Sequence, residues 1–446
     1  MKRILFILPL ILVCNRGAVL AQQTWTLQQC IDYALSHNLN IQLQEDNIRQ
    51  QEIALSTSQN SRLPNLSASA GESFSFGRAL TADNTYANHN TQSSSFSLST
   101  SVPIITGGQI TQDIKVKRLN LQAALSDCSK VREDVTLNVM SAYLEAIYQK
   151  DLVEVAERQL ELSRMQAQRL QLLFDNQKAS EADVAQAASA VAQDELSLTQ
   201  QRNSYMLSLL SLSQLLELPS PDGFDVEAPQ VGSVADAELP LPDAVYNEAI
   251  GIKPQVVSEQ LRLQSAQRGV RLAQSALYPS LYFSAGLGSS YYKTSGFPSQ
   301  DFGRQMKDNF NQYLGLSLSV PIFNRFATRN SVRSARLQVH SQEIQLEETK
   351  KSLYKEIQQA YYNALAAQRQ CSSSDAALVS SQAAFELMQR KFENGKATAT
   401  EFQEAKTNLS KAESTAVQSR YTFLFRRKIL EFYRTPQNDQ AMHTIQ

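Results

Sequence analysis

The sequence holds little with which to do chemistry. Its 446 residues include four cysteines (Cys14, Cys30, Cys128, Cys371) and four histidines (His37, His89, His340, His443), none of them clustered. With no Cys-x-x-Cys and no His-Glu-x-x-His, zinc and thiol-redox centres lack ligands at workable spacing. Phosphate-cradling and nucleophile-presenting motifs are missing as well: there is no G-x-x-x-x-G-K-[ST], no G-x-G-x-x-G and no G-x-S-x-G. No enzyme is therefore expected, and no metal or cofactor. An excess of one charge is also lacking, because 42 Lys+Arg stand against 43 Asp+Glu for a net charge of -1. A nucleic-acid partner, which needs a basic surface, is excluded on that ground. Beyond the first residues no apolar run approaches the roughly 20 residues that a membrane-crossing helix requires.

The N-terminus carries a secretory signal over residues 1–21. Lys2 and Arg3 supply its positive start, Ile4 to Val13 its apolar run, and Val19-Leu20-Ala21 its small-residue exit before Gln22. Cys14 follows Val13, where a lipidated cysteine usually follows a small residue, so ordinary cleavage fits better. Cys30, Cys128 and Cys371 then remain, an odd number that argues against a disulfide framework even in an oxidising compartment.

The rest of the chain is written twice. Pro64-Asn65-Leu66 falls on Pro279-Ser280-Leu281 at an offset of 215. Ser101-Val102-Pro103-Ile104 falls on Ser319-Val320-Pro321-Ile322, and Phe174-x-Asn176-x-Lys178 on Phe392-x-Asn394-x-Lys396, both at 218. The expected organisation is a first repeat over 22–218, a Pro- and Gly-rich linker over 219–242, a second repeat over 243–433 and a polar tail over 434–446.

Each repeat reads helix, two strands, very long helix, turn, helix. In the first, 26–61, 107–174 and 180–217 are almost free of Pro and Gly. Leu137, Met140, Leu144, Tyr148, Leu152 and Val155 step by three or four, which predicts a buried stripe. After the turn a seven-residue period runs through Val184, Ala187, Val191, Asp194, Leu198, Gln201 and Tyr205. In the second copy it runs through Phe402, Ala405, Leu409, Ala412, Ala416, Ser419 and Phe423. That period predicts a left-handed coiled coil, whose seam Asp194 and Gln201 make too polar for a dry core. At 1.5 Å per residue the 107–174 helix would span about 100 Å, the proportion of a rod or a wall.

Between the helices lie segments of period two. Leu66, Ala68 and Ala70 alternate with Ser67, Ser69 and Gly71; Phe96, Leu98, Val102 and Ile104 alternate with serines. The second copy sets Leu281, Phe283, Ala285 and Leu287, then Leu314, Leu316, Leu318, Val320 and Ile322, against serines and glycines. Strands of about ten residues, apolar outward and small and polar inward, are those of a transmembrane barrel. Hairpins covering a soluble core would alternate too. Pro64, Pro103, Pro279 and Pro321 stand at the helix-facing ends. Four strands cannot close, since the smallest barrel has eight, and an open edge in lipid is forbidden. Several copies must pool their strands; three give twelve. Tyr291, Tyr292 and Tyr313 are either an aromatic girdle or ordinary strand residues.

The signal, the duplication, the two S-V-P-I strand ends and the two F-x-N-x-K turns resemble the TolC family of outer-membrane efflux and secretion channels, over nearly the whole chain from Leu27 to Tyr433. The resemblance implies a mostly α fold: a homotrimer whose twelve-stranded β-barrel in the outer membrane of a Gram-negative cell continues as a long α-helical barrel through the periplasm. It implies the exit duct of a tripartite efflux pump or type I secretion system, docked to a periplasmic adaptor and an inner-membrane RND, ABC or MFS transporter. It also implies a gate at the periplasmic tip. Phe392-Glu393-Asn394-Gly395 matches the family's aromatic-x-x-Gly turn, and Glu401 and Glu404 fall on the acidic residues that ring the entrance. The arginine that locks the family's tip is Ala397 here, although Asp183 occupies the acid's place; Lys178 and Lys396 are the candidate substitutes. The opposite reading of Glu401 and Glu404 is two solvated acids near a helix N-terminus. A second function class, a periplasmic coiled-coil scaffold or adaptor outside the membrane, would account for the helices but not for four apolar strand faces.

Overall fold

The structure, a computed structural model, describes residues 23–80, 84–221, 223–227 and 238–434. The signal, Cys14 and the tail beyond Arg434 lie outside the described residues. The elements in order are β1 (Gln23–Trp25), α1 (Leu27–His37), α2 (Leu39–Asn60), β2 (Asn65–Ser75), β3 (Arg78–Leu80), β4 (Tyr86–Asn88), β5 (Thr91–Thr106), α3 (Gln109–Asp175) and α4 (Glu181–Leu215). They continue with β6 (Phe224–Val226), α5 (Pro242–Ala249), α6 (Pro254–Ser275), β7 (Ser280–Thr294), α7 (Phe302–Asp308), β8 (Asn311–Ser319), α8 (Ala327–Glu393) and α9 (Ala399–Arg434). The expected helix over 26–61 is two helices. Thr26 and Gln29 close a capping box at the start of α1, and Asn38, extended at ψ 127, ends it.

The chain divides into two compact units that do not follow the duplication. One contains Asn40–Val131 and Tyr246–Glu356; the other contains the remainder. The first of these holds a four-stranded antiparallel sheet of order β2-β5-β7-β8. Its register pairs Ser67 with Ser99, Ser69 with Ser97, Ser99 with Gly286 and Ser284 with Gly315 on one face. On the other, Ala68 meets Leu98, Leu98 meets Leu287, Leu281 meets Leu318 and Phe283 meets Leu316. The alternation read from sequence is thus the alternation of the sheet. On the small-residue face the serines bond across strands, Ser69 Oγ to Ser97 Oγ at 2.7 Å. Gly286 leaves room there for the Tyr313 ring, which a Cβ would overlap as it stands. Pro64 and Pro279 immediately precede β2 and β7, and Pro321 follows β8, as expected. Pro103 instead lies within β5, at the bulge between Pro103 and Ile105, where a missing N–H costs no ladder bond.

Of the three tyrosines, only Tyr291 shares the apolar face; Tyr292 and Tyr313 stand on the small-residue face by the same alternation. Tyr291 packs on Phe302 of α7, and Phe302 on Phe96. Beyond the end of β8, Gln305 replaces a strand: its side-chain amide accepts from the Tyr292 N–H at 3.0 Å and donates to the Tyr292 carbonyl at 3.0 Å.

In the other unit, part of the supposed linker is structured. β6 pairs in parallel with β1, and the Tyr143 hydroxyl, 1% exposed, lies 2.9 Å from the Trp25 carbonyl and 2.7 Å from that of Glu227. Burial pushes the Tyr143 phenol well above its ordinary range, so it remains a donor. Asp225 ties β6 to the helices, accepting from Lys150 at 3.0 Å and from the Tyr205 hydroxyl. Burial alone would raise the Asp225 carboxyl; the bonds from Tyr205, Lys150 and the Val226 N–H outweigh it and hold the group below its ordinary value. Tyr205 closes the heptad stripe of α4, so that stripe ends in a polar anchor. Cys30, Cys128 and Cys371 are all buried free thiols.

Candidate functional site

The two helical hairpins of the same unit end in turns of similar construction. In the first, Gln177 adopts φ +58; in the second, Gly395 adopts φ +70. Only the second uses the residue that reaches this region without steric cost. Each turn then hands over to a capped helix. Ser180 caps α4, with Asp183 returning a bond to the Ser180 N–H at 3.0 Å. Thr398 caps α9, with Glu401 accepting from the Thr398 N–H at 2.7 Å and its hydroxyl at 2.9 Å.

Asp183 and Glu401 are thus the same position of the duplication, and both are committed to capping boxes. Bonds from Ser180 hold the Asp183 carboxyl below its ordinary range, and bonds from Thr398 do so for Glu401. Glu404, one turn further along α9, is exposed, and no bond or ion pair among the described residues engages it. The five residues singled out from sequence are not brought together within one protomer. Asp183 and Phe392 line a cavity of about 270 Å³ whose wall includes Gln186, Phe402 and Lys406. Glu401 and Glu404 line a separate open groove between α8 and α9, of about 800 Å³, walled by Ser381, Ala384, Ala405 and Asn408. Phe392 stacks on Phe402 at 4.9 Å, which fixes the aromatic of the turn against the start of α9.

Two groups escaped the sequence reading. Lys406, only 1% exposed, forms an ion pair with Asp194 at 2.6 Å and bonds Ser163, whose hydroxyl donates to the same Asp194 oxygen at 2.5 Å. This triad joins α9 to both helices of the first hairpin. In the sequence Asp194 reads only as a polar residue of the seam, and nothing local to Lys406 marks it as buried. Likewise Arg169 donates to the Glu393 carbonyl at 3.0 Å and stands 4.0 Å from its carboxylate, bridging α3 to the end of α8. Lys178 and Lys396 form no ion pair among the described residues.

The profile of the outer membrane efflux protein family matches residues 30–217 and 245–430, one match to each repeat. The fusaric acid resistance protein FusA of Burkholderia cepacia is 26% identical over 205 residues, 45% of this chain and 37% of that protein. The pyoverdine export outer membrane protein OpmQ of Pseudomonas aeruginosa is 25% identical over 312 residues, 68% of this chain and 61% of that one. The chain therefore spans less than two thirds of the length of these curated relatives. Among solved structures, the Campylobacter jejuni CmeC outer membrane channel superposes with a TM-score of 0.76 at 18% identity, covering 93% of this chain and 87% of that one. That likeness is one of fold.

Proposed function

This chain belongs to the outer membrane efflux protein family, and we propose that it is the outer-membrane exit duct of a tripartite efflux pump or type I secretion system. The observation that carries this reading is the sheet. Its apolar face is open to the surroundings, with Leu66 73%, Leu314 79% and Leu318 66% exposed, and β2 and β8 are its two unpaired edges. At 3.3 Å per residue the nine residues of β8, Asn311–Ser319, run about 26 Å, close to the ~25 Å band of membrane barrels. In lipid the free edges demand partners, and three copies give a twelve-stranded barrel wide enough for a wet lumen lined by serine and glycine.

Transport through such a duct is passive; its energy comes from an inner-membrane RND, ABC or MFS transporter engaged through a periplasmic adaptor. At the tip, three Glu404 carboxylates, with three Glu401 behind them, form a cation-selective ring. The alternative, a scaffold outside the membrane, leaves the apolar sheet face without an occupant. Fractionation of cell envelopes decides between them. A duct sediments with outer membrane, needs detergent for release and gives stable single-channel conductance in planar bilayers; a protein released by salt or buffer alone overturns the proposal.

A further inference from the structure

Below the sheet, the first turns of α3 and α8 carry matching basic residues. Lys115 and Arg118 of α3 correspond, at the offset of 218, to Arg333 and Arg336 of α8, and α8 adds Arg329. All five are exposed, and among the described interactions none has a carboxylate partner; Arg329 lies over the Phe326 ring at 6.0 Å. The acids of the same stretch are engaged elsewhere. Asp113 accepts from Ser58, Asp127 from Ser258 and Arg262, and Glu259 from Arg262 and Gln342.

Helical phase places these residues on one side. The packing of α3 here falls on Ile114, Ala124 and Cys128, which are buried, and on Asp113, Asn120 and Asp127, which bond α2 and α6. Lys115 and Arg118 occupy the remaining arc. On α8 the buried positions are Thr328, Val332 and Leu346, with Gln342 bonded to α6, and each basic residue comes about one position, or about 100°, after that stripe. In a closed tube, a helix touching neighbours on both sides keeps its wider free arc on the convex surface, the side on which the sheet is apolar.

The turn into α8 supplies an independent observation. Gly107 and Gly108 lead into α3 with φ +58 and +83, and their equivalents Arg325 and Phe326 adopt φ +56 and +62 without being glycine. Left-handed backbone at two consecutive side-chain-bearing residues is unfavourable, yet it is kept where it displays Phe326 edge-on to Phe323 at 5.4 Å, directly after the fully apolar end at Ile322. An aromatic pair followed by arginines is the order of groups met on leaving the hydrocarbon for the headgroup layer.

Given the outer-membrane reading above, we propose that Lys115, Arg118, Arg329, Arg333 and Arg336 form a collar that binds the phosphates of phospholipids in the leaflet nearest the helices. Three copies of two stripes make six around the duct. Helical Cα–Cβ bonds tilt toward the N-terminus, here toward the membrane. Residues about 9 to 14 Å along each helix therefore reach back to headgroups, as long basic side chains do at interfaces, and arginine grips phosphate bidentately.

The test uses the purified full-length trimer in an uncharged detergent and native mass spectrometry with added phosphatidylglycerol. The variant Lys115→Gln/Arg118→Gln/Arg333→Gln/Arg336→Gln should retain less bound lipid by about fivefold for each charge that reaches a headgroup, while inorganic phosphate fails to displace lipid from the wild type. The same variant should keep its channel conductance, which reports folding. Equal lipid retention by variant and wild type overturns the collar. So does displacement by free phosphate, or dissociation of the lipid-free variant into monomers, which would mark the stripe as a seam between copies. If wild type and variant alike give no conductance, it is the duct reading that fails.

Discussion

The two repeats share a backbone and differ in what they attach to it. Between β5 and α3 the chain turns through Gly107-Gly108; between β8 and α8 the same left-handed pair is Arg325-Phe326. At Gly107 a side chain has no room, since a Cβ would lie 2.6 Å from the Ser275 carbonyl oxygen. At the opposite ends, Ser180–Asp183 and Thr398–Glu401 build the same cap, but one turn later Gln186 stands where the second copy has Glu404. The buried Lys406–Asp194 pair exists once, because the equivalent positions hold Ala188 and Ala412. Duplication has fixed geometry, and divergence has placed Asp194, Glu404 and Lys406 where the other copy holds an uncharged residue.

The largest effect expected from breaking this asymmetry lies at the buried pair. Asp194→Ala leaves the Lys406 ammonium enclosed without its counter-ion and should cost about 3 to 5 kcal/mol in chemical unfolding, whereas Asp194→Leu combined with Lys406→Met should return close to wild type. Equal losses in single and double variants would mean that packing, not charge, holds the hairpins together. Next come the turns: Gly107→Ala should destabilise by about 2 to 4 kcal/mol through strain and overlap. Arg325→Gly should raise the thermal midpoint, gaining on the order of 1 kcal/mol; if both substitutions act alike, the turns are not equivalent.

The caps should resemble one another. Ser180→Ala and Thr398→Ala should each cost about 1 kcal/mol. Asp183 and Glu401 titrate below their ordinary 3.8 and 4.5 when folded, so their contribution is complete above those values and is lost as pH falls through the lower folded ones. Hydrogen exchange at the first turns of α4 and α9 should accelerate below about pH 4 in wild type and show no such step in Asp183→Asn/Glu401→Gln. The smallest effect on stability, within about 0.5 kcal/mol, belongs to Glu404→Gln and Gln186→Glu, yet these should shift cation preference in planar bilayers in opposite directions. Unchanged selectivity in both would remove the carboxylate ring from the mechanism.

Much of this was legible in the chain. The alternation at Leu66–Ala70 and Leu314–Leu318 carried strand and face together, because side chains of a strand repeat every two residues whatever lies around it, while β8 ends at Ser319, before Val320 and Ile322. The heptad through Phe402 and Phe423 likewise located a packed stripe. Asn38 as a helix break was not legible, nor was the strand hidden in the linker at Phe224–Val226, too short to show a period. At the turns, Glu401 was legible as an acid in the right place but not as a cap, since that depends on which atom its carboxylate meets.

Sequence alone therefore set the long helices, the alternating strands and their duplication, and called for partner copies, all from local period and from backbone groups that must be paired. Only the tertiary structure decided that Lys406 is buried against Asp194 and Ser163, that Tyr143 pins β1 to β6, and that Arg169 reaches Glu393. Each joins residues far apart in the chain, and such an encounter leaves no trace in the spacing of either partner.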